Sequence, residues 1–408
     1  MSHLSRPRNR RTVRAIAAVC GVLVVSGLTH ASAAAAERRA DVWPIPARAT
    51  ITLTGHGYGH GHGMSQYGAE GAARQGVAFN QIIDFYYPGT AWATAKGKVS
   101  VLVSADTTDD LEVLARKGLM MRDLSSRERV ALPEGPSRFR LVTSTKGLTS
   151  LESFDGRWQR VRRLNGPGEF LAKGPITLVT PTGQVAYRGR LRAAAPKPGS
   201  TLRDTVNVVG LENYLRGVVP REIPASWSPE AVRAQAVAAR TYAAYERAHP
   251  RADHYQICDT TSCQVYGGTA DEHAAATEAI KATRGQIVTD AGEPAFSQFS
   301  ASSGGWTAAG SVPYLAAKED PYDGWAGNPV HSWTRALTDE AIESRYPSLG
   351  GLQSILVDER DGNGDWGGRV GSLTLVGASR SVTVSGDTLR AVLGLRSTWF
   401  TFEVAARP

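Results

Sequence analysis

The chain has 408 residues, of which 42% are hydrophobic and 21% charged, and it contains three cysteines. This composition excludes a disordered chain, a collagen-like repeat and a fold built on disulfides. With 46 lysines and arginines against 38 aspartates and glutamates, the formal net charge of +8 favours an acidic partner such as nucleic acid or a membrane surface. The length is typical of two or three domain-sized units.

The first 36 residues have the layout of a secretory signal peptide. Five arginines precede an uncharged apolar stretch, Ala15–Leu28, and small-residue cleavage sites follow it. Because the stretch is shorter than the ~20 residues that span a bilayer, a signal peptide is favoured over an uncleaved anchor. Removal of residues 1–36 leaves 41 basic against 38 acidic side chains. We therefore expect an exported protein with no nucleic-acid partner and no membrane span after cleavage.

Residues 37–97 are predicted to begin with a strand and to continue into two helices. Ile51–Thr54 alternates apolar and polar residues like a strand. In the next segment, Gly55–Gly63, glycine occupies every second position, so the backbone can adopt positive φ and approach other groups closely. Helices are predicted over Met64–Gly76 and, with Asn80 as N-cap, from there to Tyr86.

Residues 98–209 are predicted to form a β-rich subdomain. Short runs of strand-forming residues are separated by Gly, Pro, Asp and Asn, as in a meander or a small barrel. Examples are Val99–Val103, Arg138–Val142 and Ile176–Val179. Pro196–Ser200 is predicted to be a turn or linker.

Residues 210–408 are predicted to form the helical core. Its clearest element is an alanine-rich helix from Pro229 to about His249, capped by Ser228 and expected to be central and buried. The overall expectation is an α+β fold in which the β-rich region packs beside the helical core. That core carries the substrate cleft, and the segment from His331 onward completes it. A second helix is predicted over Asp271–Arg284, and strands over residues 286–289, 295–300, 372–376 and 381–384.

Three histidines of the glycine-rich segment, His56, His60 and His62, are candidates for chemistry. Histidines at such short intervals can bind a metal, or they can be donors that line a cleft. The second reading is favoured because the segment contains no carboxylate or cysteine. The glycine-rich segment matches neither a Walker loop nor a dinucleotide-binding fingerprint.

Glu222 is the strongest candidate for acid–base chemistry. It lies between Pro220 and Pro224, after an apolar run and ahead of the alanine-rich helix. Partial desolvation there would raise the pKa of its carboxyl toward general-acid use. From its position alone, however, the favoured interpretation is an exposed loop glutamate paired with Arg216 or Arg221.

Three other features are open to two interpretations. Gln235 and Arg240 interrupt the apolar surface of the alanine-rich helix, either as satisfied buried groups or as donors facing a cleft. Ser300–Thr307 is either a turn that offers backbone N–H groups to a ligand or a structural turn. Cys258 and Cys263 are favoured as a disulfide over zinc ligands with His254.

Several motifs spread along the chain form one combined pattern. They are GYGHGHGMSQYGA (Gly57–Ala69, here called the GHG motif), YYPG (Tyr86–Gly89), LENYLRGVVPREIP (Leu211–Pro224), PEAVRAQAVAARTY (Pro229–Tyr242), CQVY (Cys263–Tyr266), SSGGWT (Ser302–Thr307), PYL (Pro313–Leu315) and AVLGLRSTWF (Ala391–Phe400). Taken together, these motifs resemble the SpoIID/LytB family of bacterial cell-wall proteins, which includes SpoIID and amidase enhancers. In that family the GHG motif usually lies near the C-terminus, so its position here resembles a circular permutation. Ser262 stands where some members have a zinc-binding histidine, which supports the disulfide.

The resemblance implies a lytic transglycosylase in which Glu222 is the catalytic residue. SpoIID is similar to enzymes that cut peptide-free strands between N-acetylmuramic acid and N-acetylglucosamine, leaving anhydromuramic ends. One carboxylic acid can protonate the glycosidic oxygen and then remove the proton of the C6 hydroxyl as it closes onto C1. No carboxylate pair is needed, unlike in ordinary glycosidases. The alternative function is a non-catalytic, peptidoglycan-binding amidase enhancer.

The resemblance also implies the surroundings of Glu222. Neither a cofactor nor a metal is expected, and the partners are peptidoglycan strands and, for an amidase enhancer, a cell-wall amidase. The expected location is the cell wall or the exterior. Trp306 is expected either to stack on sugar rings or to pack in the core. The substrate-binding candidates are His60, Gln66, Gln235, Arg240, Ser303, Gly304, Thr307 and Tyr314.

Overall fold

The computed structural model describes residues 41–408, so the predicted signal peptide lies outside the described residues. Within this range the chain forms seven α-helices and 25 strands in six sheets. Nearly all strand pairs are antiparallel, which confirms the α+β class. None of the helices in residues 41–408 is long and apolar enough to cross a membrane.

The helices fall into two groups along the chain, one on either side of a long run of strands. In the first group α1 is Gln66–Arg74 and α2 is Phe79–Tyr86. The later helices are α3 Leu211–Glu222, α4 Pro229–Ala248, α5 Ala274–Ala282, α6 Asp339–Glu343 and α7 Gly386–Leu393.

The strands are short, and more than half of them precede α3. Those from the N-terminal side are β1 Asp41–Pro44, β2 Ala49–His56, β3 Met64–Ser65, β4 Ala91–Thr94, β5 Lys98–Leu102, β6 Asp110–Leu114, β7 Met120–Asp123, β8 Arg129–Ala131, β9 Arg138–Thr143, β10 Thr149–Asp155, β11 Arg157–Arg163, β12 Gly168–Leu171, β13 Ile176–Thr180, β14 Gly183–Tyr187, β15 Arg190–Ala194 and β16 Asp204–Gly210. Those that follow are β17 Ile257–Cys258, β18 Gln286–Asp290, β19 Glu293–Pro294, β20 Phe299–Ser300, β21 Ser332–Thr338, β22 Leu352–Arg360, β23 Val370–Gly377, β24 Ser381–Ser385 and β25 Phe400–Ala406.

The β-rich region forms two sheets that share one apolar core with the helices. One sheet has the order β11-β10-β9-β6-β13-β14 and the other β17-β5-β16-β15-β12-β7-β8. Their alternating buried residues, such as Val99, Val101 and Leu111, join side chains of α3, α4 and α5 in a single cluster. The predicted packing of a β-rich region beside helices is therefore confirmed.

Helix α4 is the central helix, as its alanine pattern predicted. Val232, Ala236 and Ala239 lie in the cluster shared with the β-rich sheets. Ala231 and Ala238 lie in a second cluster with α1 and α2. Small side chains on both sides let these elements approach the helix closely.

The last third of the chain builds a separate core around strand β2. Strand β2 pairs with β21 and β25, and β22–β24 form a second sheet with β1. The antiparallel strands β23 and β24 match the two late strands predicted. The division at residues 97/98 and 209/210 stays a prediction, since the described residues 41–408 form one compact unit.

Three predicted element bounds are wrong. Helix α2 begins at Phe79 rather than after Asn80, because the Phe79 N–H donates to Glu230 at 2.8 Å. The helix predicted from Asp271 begins only at Ala274, after a 3₁₀ turn. Of the strand predicted over 295–300, only residues 299–300 pair, with β3.

Candidate functional site

Glu222 is the last residue of helix α3. The helix ends there because Ile223 precedes Pro224, a position that disfavours helical backbone, and Ile223 is extended with φ −136° and ψ 154°. Pro229 then opens α4 at its first turn. The two prolines therefore place the Glu222 carboxyl at the junction of two buried helices.

The Glu222 side chain faces a pocket of about 240 Å³. Three stretches distant in sequence build its walls: the glycine-rich segment, the loop of residues 261–265, and the stretch before Ser300. Among the described residues of the lining, Glu222 is the only carboxylate. The lining residues are His60, Glu222, Tyr242, Thr261, Ser262, Cys263, Val265, Gln298 and Phe299.

Burial raises the pKa of the Glu222 carboxyl to about 7. Hydrogen bonds from the Val265 backbone and from Gln66 oppose this rise only in part. Within residues 41–408 Glu222 forms no ion pair, and Arg221 pairs instead with Asp271 at 3.4 Å. The carboxyl is thus desolvated and has two hydrogen bonds but no counter-charge among the described residues, so that it is about half protonated near pH 7.

Two predicted site residues lie at this pocket. Gln66 is buried at the start of α1, and its Nε2 lies 3.5 Å from Oε2 of Glu222. His60 lines the pocket, and its Nδ1 accepts a hydrogen bond from the His62 N–H at 3.0 Å. Burial and the neighbouring His62 lower the pKa of His60 to about 3, so the ring is neutral and carries its proton on Nε2.

The three histidines do not form one cluster. The rings of His60 and His62 stack with centroids 5.0 Å apart, whereas His56 stacks on Trp366 and lies 3.3 Å from Asp365. No three His, Cys, Asp or Glu side chains of residues 41–408 are arranged to hold a metal ion.

The Ser300–Thr307 turn is held by two buried aspartates. The N–H groups of Ser303 and Gly304 each donate to Asp323 at 3.0 Å, and the Ser303 hydroxyl donates to Asp320 at 2.8 Å. Asp323 also accepts from the Ser65 hydroxyl at 2.6 Å, next to Gln66. The turn therefore directs its N–H groups into the protein and fixes the start of α1.

Thr307 and Tyr314 also have partners inside the protein. The Thr307 hydroxyl donates to the Ala316 carbonyl at 2.8 Å. The Tyr314 hydroxyl accepts from the Phe296 N–H at 2.7 Å. Neither residue lines the Glu222 pocket, and the second contact holds the stretch that leads to Phe299.

Gln235 and Arg240 are both fully buried in α4. Arg240 is a satisfied buried group, because its guanidinium pairs with Glu212 at 2.9 and 3.0 Å and also reaches backbone carbonyls. Neither amide atom of Gln235 has a hydrogen-bond partner among residues 41–408. The structure does not bring either side chain to the Glu222 pocket.

Cys258 and Cys263 form a disulfide with Cα atoms 5.5 Å apart. His254 lies elsewhere, 2.6 Å from Asp204. The disulfide closes the loop that supplies Thr261, Ser262 and Cys263 to the pocket wall.

Several residues of the site were not found from the sequence. Tyr242, Gln298 and Phe299 line the pocket but have no distinctive spacing. Asp320 and Asp323 are aspartates three apart in a loop, a pattern typical of many surface turns. Among these parts of the site, only the glycine repeat of Gly55–Gly63 predicted from the sequence that its backbone packs closely against another element.

Comparisons with known proteins give a consistent result. Residues 200–289 match the family model described as SpoIID, Stage II sporulation protein, and this range contains Glu222 and α4. The amidase enhancer of Bacillus subtilis (strain 168) is 37% identical over 141 residues, which cover 33% of this chain and 18% of that protein.

Two stage II sporulation proteins D are similar over a longer range. Those of Bacillus subtilis (strain 168) and Bacillus amyloliquefaciens are 28% and 27% identical over 229 and 228 residues, which cover 50% of this chain and 63% of each relative. The chain thus spans less than two thirds of the length of these relatives. Residues 200–289 thus match the SpoIID family, and the chain is similar to an amidase enhancer and to stage II sporulation proteins D.

Proposed function

We propose that the protein is a secreted or cell-wall-located lytic transglycosylase that cleaves peptidoglycan strands to anhydromuramic ends, with Glu222 as the general acid and base. The observation that carries this proposal is the state of Glu222. It is the only carboxylate in the pocket lining among the described residues, it has no ion-pair partner there, and burial raises its pKa to about 7. A single acid that exchanges a proton near neutral pH is what the reaction requires.

In the first step the protonated Glu222 donates its proton to the glycosidic oxygen, and the bond from this oxygen to C1 of the N-acetylmuramic acid breaks. In the second step the C6 hydroxyl of the same sugar attacks C1 and gives its proton to the Glu222 carboxylate. The C6–O–C1 bond closes the anhydro ring, and Glu222 returns to its protonated state. Water is not consumed, so no second carboxylate is needed to activate it.

The neighbouring side chains have supporting roles in this proposal. Gln66 donates toward Glu222 and stabilises the ionised state that forms after the first step. Because His60 is neutral, it adds no charge that would hold Glu222 ionised. Tyr242 and Phe299 offer apolar surface to sugar rings.

Digestion of peptide-free glycan strands by the Glu222→Gln variant tests this function. The wild-type chain should release products with anhydromuramic ends, and the variant should lose at least about a hundred-fold in rate. Glu293→Gln is the matched control, because Glu293 is exposed in the turn at β19. Equal activity of the wild type and the Glu222→Gln variant would contradict the role of Glu222.

The second candidate is a non-catalytic amidase enhancer, and the 37% identity to a protein of that name supports it. In that case the chain would bind intact sacculi without cutting glycan and would raise the rate of an added cell-wall amidase. The Glu222→Gln variant would then stimulate the amidase as well as the wild type does.

A further inference from the structure

A second pocket of about 670 Å³ lies beside the glycine-rich segment. Tyr58, Arg390 and Arg396 line it, together with Asp387 and the apolar Leu395. It is built from α7 and the residues that follow α7, so it lies in the part of the chain organised around β2. Nothing in the proposed reaction at Glu222 has used these residues.

The two pockets are neighbours. Tyr58 lines the second pocket, and His60, two residues later, lines the Glu222 pocket. The Gly59 N–H donates to the Arg396 carbonyl at 2.9 Å, which fixes the Tyr58 segment to the second pocket. The charge of Arg390 also contributes to the lowered pKa of His60. A ligand longer than one sugar could therefore occupy both pockets.

The second pocket has an excess of positive charge. Within residues 41–408 Arg396 forms no ion pair, and Arg390 is 3.9 Å from Asp387, whose carboxylate is 79% exposed to solvent. Arg369, which does not line the pocket, is buried against Gly61 of the glycine-rich segment and donates to the Ser303 and Trp306 carbonyls. It too has no ion-pair partner in the described range. The lining thus has two guanidinium groups against one exposed carboxylate, an excess that favours an anionic ligand bound by charge-assisted hydrogen bonds.

Tyr58 supplies the second element of a sugar site. Its side chain is 46% exposed, one of the few large exposed hydrophobic side chains of the described residues. A tyrosine ring offers an apolar face to a sugar and a hydroxyl at its edge. Aromatic and cationic groups in one pocket suit an acidic sugar better than a free anion.

We propose that this pocket binds a sugar of the glycan strand that carries a carboxylate, with Arg390 and Arg396 on the carboxylate and Tyr58 against the ring. This inference rests on the proposed function, because the strand would lie across Glu222 at the same time. The lactyl group of muramic acid is a free carboxylate only where the peptide has been removed. The two arginines would therefore select peptide-free strands.

Binding to the full chain with Glu222→Gln tests the pocket without cleavage. The probes are peptide-free glycan oligomers and N-acetylglucosamine oligomers of equal length, which lack the carboxylate. The acidic oligomers should bind about ten- to a hundred-fold more tightly. Adding Arg390→Gln and Arg396→Gln should abolish this preference and leave the affinity for the neutral oligomers unchanged.

Arg380→Gln is the matched control, because Arg380 is exposed at the turn between β23 and β24. The proposal is overturned if the two oligomers bind equally, if neither binds, or if the double substitution weakens both alike. Its outcome is separable from that of the proposed function. If the acidic oligomers bind selectively but the wild type cleaves no glycan, the proposed enzyme activity is refuted and the binding pocket is supported. If the wild type cleaves glycan but shows no preference for acidic oligomers, the activity is supported and the pocket is refuted.

Discussion

The pKa of Glu222 sets the pH range of the proposed reaction. The first step needs the protonated carboxyl, and burial holds its pKa at about 7. We expect kcat/KM for glycan cleavage to be flat below pH 6 and to fall about tenfold per pH unit well above pH 7. A pH–rate profile with peptide-free glycan measures this. A rate that stays constant to pH 9 would show that Glu222 is not the acid.

The same burial of Glu222 lowers the free energy of unfolding at a pH where the carboxyl is ionised. An unfolded glutamate has a pKa of 4.5, and the folded value is about 7. Because the pKa is higher in the folded state, protonation of Glu222 favours folding. This contribution to the free energy of unfolding is fully present below pH 4.5 and is lost as the pH rises through 7. We expect Glu222→Gln to be more stable than the wild type at pH 8, by up to about 3 kcal/mol, with little difference at pH 4.5.

Urea denaturation at the two pH values measures this difference in the free energy of unfolding. The exposed Glu293→Gln variant should show no gain at either pH. A Glu222→Gln variant no more stable than the wild type at pH 8 would mean that the carboxyl is better solvated than its surroundings indicate.

The sequence offers Glu222 as the candidate acid but cannot decide whether its carboxyl is desolvated or ion-paired. The Glu-x-Pro element and the helix after it singled out Glu222. That Glu222 has no ion-pair partner within residues 41–408 could not be predicted, because Arg221 pairs with Asp271, which lies 50 residues after it and reaches it only through the fold. The role of Arg240 was undecided for the same reason, since Glu212 meets it only when α3 packs on α4.

Among the secondary-structure elements, β2 and β25 bear on the unusual position of the GHG motif. They pair antiparallel from Ala49 with Ala406 to Gly55 with Phe400, and the Arg407 N–H donates to the Arg48 carbonyl at 2.9 Å. A chain that ran directly from β25 into β2 would form a plain hairpin. This adjacency supports the interpretation of the motif order as a circular permutation.

The glycine-rich segment depends on close backbone contact. Gly63 has φ +65°, and a Cβ there would collide with the carbonyl oxygen of Gln298. Gly76, after α1, has φ +82° but open space around it. We expect Gly76→Ala to cost about 1 kcal/mol from backbone strain alone and Gly63→Ala at least about 3 kcal/mol. Denaturant midpoints of the two variants test this, and equal losses would contradict the packing argument.

Elements were predictable where local signals agree with the packing. The alanine repeat of α4 and the alternation of β23 and β24 settle their form without tertiary help. The start of α2 was not predictable, because the cap comes from Glu230 on α4. Residues 295–298 look like a strand, but the N–H groups of Ser297 and Gln298 donate to the carbonyls of Ala295 and Phe296, two residues earlier, instead of to a neighbouring strand.

Across the whole molecule, charge is divided unevenly between regions. Residues 98–209 contain 19 lysines and arginines against 11 acidic residues, whereas residues 41–97 and 210–408 together contain 20 against 26. A net charge taken over residues 37–408 conceals this division. The near-neutral sum argues against a nucleic-acid partner, although residues 98–209 alone keep a net charge of +8.

The positive charge of the β-rich region is concentrated at a sheet edge. Strand β11 ends its sheet and exposes Arg160 and Arg163, neither of which forms an ion pair within residues 41–408. Arg162 beside them pairs with Glu128 at 2.5 Å, which brings Arg127 and Arg129 of the β7–β8 hairpin to the same edge. Such an edge attracts a polymer that carries repeated negative charges.

We therefore expect binding of the protein to peptidoglycan sacculi, whose carboxylates are anionic, to weaken with salt. The bound fraction should fall markedly between about 50 mM and 500 mM salt, as the Debye length shortens from roughly 14 to 4 Å. The double variant Arg160→Glu with Arg163→Glu should bind less already at low salt. The pair Arg345→Glu with Arg380→Glu changes the net charge equally on an exposed surface elsewhere and should bind like the wild type. Co-sedimentation with sacculi measures all three proteins, and a similar loss in both variants would mean that net charge alone, without the β11 edge, governs binding.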